Sequence, residues 1–284
     1  MISATIKLFL PYGDPKRLRT AEISNWNGKA VAGPRAELDV LLNRSELEQS
    51  GVYLLIGTDP ESGNPMCYIG EAEIIKDRLK QHRGKDFWVQ AIVFVSKDEN
   101  LTKAHIRYLE GRLIEGAVKA GRVLVSNSQA SGARLPESDR EDMEVFLNKI
   151  RQLLPVLGSD LLTPIIRQAD NPTNQAEDLI CSIKGLVARG RLTPSGFVVF
   201  QDSQAVLENR PSAAKQHPYV VSLRERLISE GTMRLQDGHY VITKDVEFSS
   251  PSAAASVIRG GGSNGLIEWK DKQGKPLKEI EDQS

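Results

Sequence analysis

The stretch from Gly51 to Gly70 constrains this chain most, because its composition suits little other than a β-hairpin. Gly51-Val52-Tyr53-Leu54-Leu55-Ile56-Gly57 is an apolar, β-branched and aromatic run bracketed by glycines. Asp59-Pro60-Glu61-Ser62-Gly63-Asn64-Pro65 is made of turn residues, and Met66-Cys67-Tyr68-Ile69-Gly70 leads back. Upstream, Ile6 to Leu10 and Arg19 to Ile23 read as strands separated by Pro11, Gly13, Asp14 and Pro15, and Leu38, Leu41 and Leu42 give residues 34–47 a helical spacing. Downstream, the pattern predicts a helix over about 71–83, a strand over 88–95 and a helix from Thr102 to Ala120 closed by Gly121. Ser138 with Glu141 forms a capping box that opens one more helix, ending near Leu154 before Pro155.

Residues 167–178 (RQADNPTNQAED) are polar, carry Pro172 and lack periodic apolar positions, which predicts a linker. Beyond it, 197–200, 239–243 and 266–269 read as short strands, with Asp237-Gly238 as a hairpin turn. Pro251 after Ser250 starts a helix that Arg259-Gly260-Gly261-Gly262 ends. The expected fold class is therefore α+β (mixed α/β), a small mixed sheet flanked by helices followed by a small α+β domain. Its parts are a strand and helix extension over 1–48, a core over 49–130, a helical extension over 131–166, the linker, and a carboxy-terminal domain over 179–284.

Composition narrows the class of partner. Lys+Arg and Asp+Glu both number 37 in 284 residues, so no global positive field draws nucleic acid. Any basic footprint must be local, and Lys76, Arg78, Lys80, His82, Arg83 and Lys85 provide one, opposed in that run by Asp77 alone. A solvated helix face is the commoner origin of a charge run of this size. No apolar run reaches bilayer length, the first residues lack a signal-peptide pattern, and Cys67 and Cys181 form neither a disulfide framework nor a metal knuckle. The expectation is a cytoplasmic protein with reduced thiols and no membrane.

Helical geometry marks three unusual side chains. At roughly 100° per residue, Ile106, Leu109, Leu113, Ile114 and Ala117 share one face of the 102–120 helix, and Glu110 falls within it. An ionised carboxylate there has to be paired, for instance with Arg107 one turn earlier, or neutralised, or bound to a metal. On the preceding helix, Ile74, Ile75 and Leu79 set an inward stripe, and Arg78 and His82 fall beside it while Lys76, Lys80 and Arg83 face water. Snorkelling of Arg78 and a satisfied core histidine are the plain alternatives.

In order, Gly51-Val52-Tyr53, Tyr68-Ile69-Gly70, Arg78 and His82, Glu110 and Asn127 resemble the GIY-YIG nuclease family over about residues 51–127. Valine replaces the middle isoleucine of the first motif, and the turn from Thr58 to Met66 is long for this family. The resemblance implies metal-dependent hydrolysis of DNA phosphodiester bonds by an endonuclease acting in repair, restriction or mobile-element defence. It implies Tyr53 as base or water-orienting group assisted by His82, with nearby positive charge needed to lower the Tyr53 pKa. It also implies Arg78 on the phosphate, Tyr68 as a positioning group, and Glu110 as the single protein ligand of Mg2+, with Mn2+ as a substitute. Asn127 is expected to support the site structurally, and Lys76, Lys80, Arg83 and Lys85 to contact DNA. A non-catalytic DNA-binding or regulatory protein on the same fold is the alternative, and a ribonuclease or protein-interaction module a third. Ser249 to Ala255, Asn264-Gly265 and Trp269 resemble a small uncharacterised bacterial domain that accompanies nuclease and restriction-type proteins. Nucleic acid or a protein partner is its expected target, through Lys184, Arg189, Arg191 and Arg259, with ordinary surface charges as the alternative and Trp269 read as core.

Overall fold

A seven-stranded sheet carries the first half of the chain. The structure is a computed structural model that describes residues 3–127, 132–164 and 178–283, and it divides into two units, Met1–Pro164 and Ile165–Ser284. Residues 167–177 of the expected linker lie outside the described residues.

The first unit runs β1 (Ile6–Phe9), β2 (Arg19–Ile23), β3 (Gly28–Pro34), a 3-10 turn (Arg35–Glu37), α1 (Leu38–Leu42), a second 3-10 turn (Ser45–Glu48), β4 (Gly51–Thr58) and β5 (Pro65–Ala72). It continues with α2 (Ile75–Gln81), a third 3-10 turn (His82–Gly84), β6 (Trp88–Ser96), α3 (Lys103–Ala120), β7 (Leu124–Val125) and α4 (Glu137–Leu153). The sheet order is β1-β2-β3-β6-β4-β5-β7. Its neighbours are antiparallel except β5 and β7, which run parallel.

Both faces of this sheet are covered, which explains the near-continuous apolar runs of β4 and β6. Successive side chains of β4 alternate between two cores. Val52 and Leu54, with Cys67 and Ile69 of β5, pack under α3 and α4. Tyr53 and Leu55, with Tyr68, pack with Leu41 of α1 and Ile75 and Leu79 of α2. Each large aliphatic side chain that α3 buries completely, such as Leu109 and Leu113, stabilises the fold by about 1.5–3 kcal/mol. Thr102 caps α3 reciprocally with His105, and Gly121 ends it in the left-handed conformation at φ 66°.

Several local expectations are corrected. Residues 1–48, read as an extension, supply three strands of the common sheet. Within them β3 had no counterpart in the sequence reading. Pro34 belongs to β3, so the helix expected over 34–47 is reduced to two 3-10 turns around α1. Glu71 and Ala72 remain in β5, α2 begins only at Ile75, and Ile74 is 49% exposed instead of inward-facing. The Ser138–Glu141 capping box is not formed. Pro136, at φ −51°, leads directly into α4 from Glu137, and Ser138 Oγ donates to Asp139.

The second unit contains β8 (Leu179–Ile183), β9 (Leu186–Thr193), β10 (Gly196–Val199), β11 (Gln204–Ala205), α5 (Ala213–Gln216), α6 (Pro218–Ser229), β12 (Met233–Gln236), β13 (His239–Ile242) and β14 (Val246–Phe248). It ends with α7 (Pro251–Arg259), α8 (Gly265–Glu268) and α9 (Leu277–Glu281). One sheet is ordered β14-β10-β9-β8 and the other β11-β13-β12. Asp237 and Gly238 both take positive φ between β12 and β13, as the tight hairpin requires. Ser250 caps α7, and Trp269 is fully buried against Phe197, with ring centroids 4.4 Å apart. The strand expected over 266–269 is α8 instead, because Asn264 Oδ1 accepts from Leu266 N and starts a helical turn. Both units are α+β. Among the described residues, no helix is long and apolar enough to cross a membrane.

Candidate functional site

The site is assembled from the hairpin outward. Gly51 pairs with Val95 at the start of β4, where a β-carbon would collide with the Phe94 carbonyl. Tyr53 stands directly opposite Gly70 in the β4–β5 register. A side chain at Gly70 would overlap the Tyr53 ring and hydroxyl. The glycines of both motifs therefore exist for close approach, and the second makes room for the first motif's tyrosine.

Tyr53 is completely buried and His82 nearly so, at 4% exposure. Tyr53 Oη and His82 Nε2 are hydrogen-bonded at 2.8 Å. Tyr68, half-buried, stacks on Tyr53 with centroids 6.1 Å apart and lies 4.7 Å from the His82 ring. Arg78 is exposed on α2, donates to Gln81 Oε1 at 2.9 Å, and interacts with both phenols, Tyr53 first and Tyr68 second, which raises its pKa. Lys85 places its Nζ 4.0 Å from the centre of the Tyr68 ring. Five of the residues singled out from sequence, Tyr53, Tyr68, Arg78, His82 and Lys85, thus meet at one place.

The electrostatics follow from that crowding. Burial, then the charges of Lys85 and Arg78, push the His82 imidazole down to about 4. Burial and the neighbouring Tyr68 push the Tyr53 phenol well above its ordinary value, and Arg78 opposes them without prevailing. Arg78 thus acts on Tyr53 in the expected direction, but burial outweighs it in the resting site: at neutral pH the phenol keeps its proton and the imidazole is uncharged. A neutral Nε2 can accept that proton.

This depressed pKa has a consequence for folding. The unfolded chain protonates His82 near pH 6.5 and the folded chain only near 4, so stability is full above 6.5 and falls as pH drops between these values. The expected loss is about 2 kcal/mol after allowance for local relaxation. Urea titrations of the full chain at pH 7 and 4.5 should show a smaller drop for His82→Gln than for the parent. An equal drop in both would show that His82 is not the group responsible.

Glu110 is half-buried on α3, whose apolar side chains Leu109 and Leu113 join the core on the other face of the sheet from Tyr53 and α2. Arg107, its candidate partner in the helix, has Nε 3.7 Å from Glu71 of β5. Among the described residues, no group of three or more His, Cys, Asp and Glu side chains is arranged to hold a metal ion. These residues do not build a dedicated metal cage. Magnesium retains several waters and takes one or two carboxylates, and on donor chemistry Glu110 fits a largely hydrated ion of that kind. Asn127 bridges the β5 edge, its Oδ1 accepting from Ile69 N at 3.1 Å and its Nδ2 donating to Ile69 O.

The basic run divides sharply. Lys76 pairs with Glu48 at 3.1 Å, Lys80 with Asp77 at 3.1 Å, and Arg83 with Asp39. Arg78 and Lys85 form no ion pair among the described residues, their partners being Gln81 and the two phenols. Two supporting residues had no sequence signal. Trp88 Nε1 donates to the His82 carbonyl at 3.1 Å, and Arg35 donates to the carbonyls of Arg83, at 2.8 Å, and Lys85.

In the second unit, Arg191 is held by Asp178 at 2.5 Å and Arg259 by Glu268 at 2.9 Å, whereas Lys184 and Arg189 are exposed. The described residues there gather no comparable reactive cluster. No curated protein matches this chain, and no solved structure does. Residues 179–281, less than half of the chain, match the family described as "Domain of unknown function (DUF4357)", so the carboxy-terminal unit is similar to a domain whose role is uncharacterised.

Proposed function

We propose that the first unit is a metal-dependent endonuclease of GIY-YIG type that hydrolyses DNA phosphodiester bonds. The observation that carries this reading is the convergence of Arg78 and Lys85, neither in an ion pair among the described residues, on the Tyr53–Tyr68–His82 cluster. Two cations beside neutral proton carriers suit an anionic substrate whose charge rises in the transition state.

In this reading the oxygen of a water attacks phosphorus, and the P–O bond to the departing strand breaks. Tyr53 accepts the water's proton as it passes its own across the 2.8 Å contact to His82 Nε2. Arg78 braces the phosphoryl oxygens through its planar fork, and Tyr68 orients water or phosphate. Glu110 would hold a hydrated Mg2+, with Mn2+ as a substitute, and that ion would supply charge neutralisation for the phosphoryl group and the departing oxygen. Lys76, Lys80 and Arg83 would contact the flanking backbone by exchanging exposed ion pairs worth about 0–1 kcal/mol each for phosphate. The second unit would bind nucleic acid or a protein partner, and the setting would be cytoplasmic.

Nicking of supercoiled plasmid by the full chain with and without Mg2+ tests the reading. Glu110→Ala should fold normally and lose metal-dependent nicking by at least about a hundredfold. Parent protein that cuts no duplex, branched or single-stranded DNA would sink it. Equal or better cleavage of RNA would redirect it to a ribonuclease.

A second reading is a non-catalytic DNA-binding or regulatory module. The raised pKa of Tyr53 favours it, since a phenol that keeps its proton is a poor base.

A further inference from the structure

We propose that Lys85 contacts the substrate itself, forming with Arg78 a two-cation cradle for one phosphate group, and that Arg35 from the amino-terminal segment positions it. This rests on the nuclease reading for the phosphate's origin in a DNA strand, whereas binding of phosphate is independent of cleavage.

Exposure and pairing single out these two cations from the rest of the basic run. Lys76, Lys80 and Arg83 are each compensated by a carboxylate, so an incoming phosphate displaces an existing partner at each of them. Lys85 and Arg78 have no such partner among the described residues, and both are exposed, while Tyr53 and His82 are buried and the half-buried Tyr68 ring lies against both of them and under Lys85 Nζ. A phosphate arriving from solvent meets the two cations before it reaches the Tyr53 hydroxyl. The cations also act on one another, since burial first and the Arg78 charge second lower the Lys85 pKa. An anion between them removes that repulsion, which neither phenol can do while protonated.

Arg35 sets where Lys85 starts. Its guanidinium donates to the main-chain carbonyls of Arg83, at 2.8 Å, and Lys85, and lies 4.7 Å from the Trp88 ring centre. Within the same segment, the His82 carbonyl accepts from Lys85 N at 3.1 Å and from Trp88 Nε1 at 3.1 Å. The turn carrying both His82 and Lys85 is thereby fastened to β6 and to the 3-10 turn after β3. A planar fork that reaches two carbonyls and covers an indole is not reproduced by lysine.

The test uses the full chain, with inorganic phosphate and a short DNA duplex as separate probes followed through the His82 ring signals. Lys85→Met is expected to weaken both by about tenfold, and Lys80→Met by less than about twofold. Arg35→Lys is expected to weaken phosphate by about threefold in the parent and to add nothing in the Lys85→Met background, because it acts through Lys85. Lys85→Arg, which keeps the charge, should retain binding and guards against a loss that is merely structural. Phosphate binding by Lys85→Met within twofold of the parent, or no phosphate binding by the parent, overturns the cradle. Additive effects of the Arg35 and Lys85 changes overturn the positioning role. Lys85-dependent phosphate binding in a protein that never nicks DNA would leave the cradle standing and remove the nuclease reading alone.

Discussion

Replacing Arg78 by alanine is expected to reduce metal-dependent DNA cleavage by about a hundredfold to a thousandfold while leaving the fold intact. The side chain is exposed and its described partners are Gln81 and the two phenols, so its removal leaves no buried carboxylate unpaired. Its loss acts on two steps at once. The phosphoryl group loses a fixed fork of donors, and Tyr53 loses the guanidinium that pulls its raised pKa down. A second readout separates this from a general loss of structure. Arg78 helps to depress His82, so the imidazole pKa should rise from about 4 in the variant, and an NMR titration of the ring would show it. Arg78→Lys should recover that shift, since charge alone produces it, but only a small part of the rate, since the fork is missing. Cleavage by Arg78→Ala within tenfold of the parent would remove Arg78 from the chemistry.

How much of this was legible in the sequence depended on whether the cause was local. The hairpin could be read because Gly51, Gly57, Gly63 and Gly70 bracket runs of unmistakable composition. Meeting of Tyr53, Tyr68, Arg78 and His82 followed from the ordered motifs. The strand β3 was invisible because Ala30, Val31, Ala32 and Gly33 are small and buried on both faces, leaving no alternation to detect. Leu266 to Trp269 is too short for periodicity to separate helix from strand, and the Asn264 cap decides it. Arg107 could be aligned with Glu110 on a helical projection, but its pairing with Glu71 depends on how β5 lies beneath α3. In the basic run Lys80 pairs locally with Asp77, but the partners of Lys76 and Arg83 come from distant residues, and these pairings set Lys85 apart. Arg35 acts on residues about fifty positions away, and no local pattern announces it.

Gly70→Ala is expected to destabilise the first unit by about 3 kcal/mol, a large effect for the addition of one methyl group. Gly70 is not among the positive-φ glycines, so alanine suits its backbone and the cost is one of space. The new β-carbon would overlap Oη, Cζ and Cε1 of Tyr53. An exposed ring would swing aside at little cost. Tyr53 cannot, because it is fully buried, stacks on Tyr68 and is hydrogen-bonded to His82 at 2.8 Å. Moving it breaks that contact within a closed core, and rearranging β5 instead disturbs the Asn127 bridge to Ile69. Urea denaturation of the full chain, followed through the amide signals of β4, measures the loss. The cause is isolated by a double-mutant cycle with Tyr53→Ala, a change that is costly in its own right but empties the space the methyl needs. In that background the penalty of Gly70→Ala should fall below about 1 kcal/mol. If the penalty is the same in both backgrounds, the two motifs are not coupled through this contact, and Gly70 is held by something other than the tyrosine across from it.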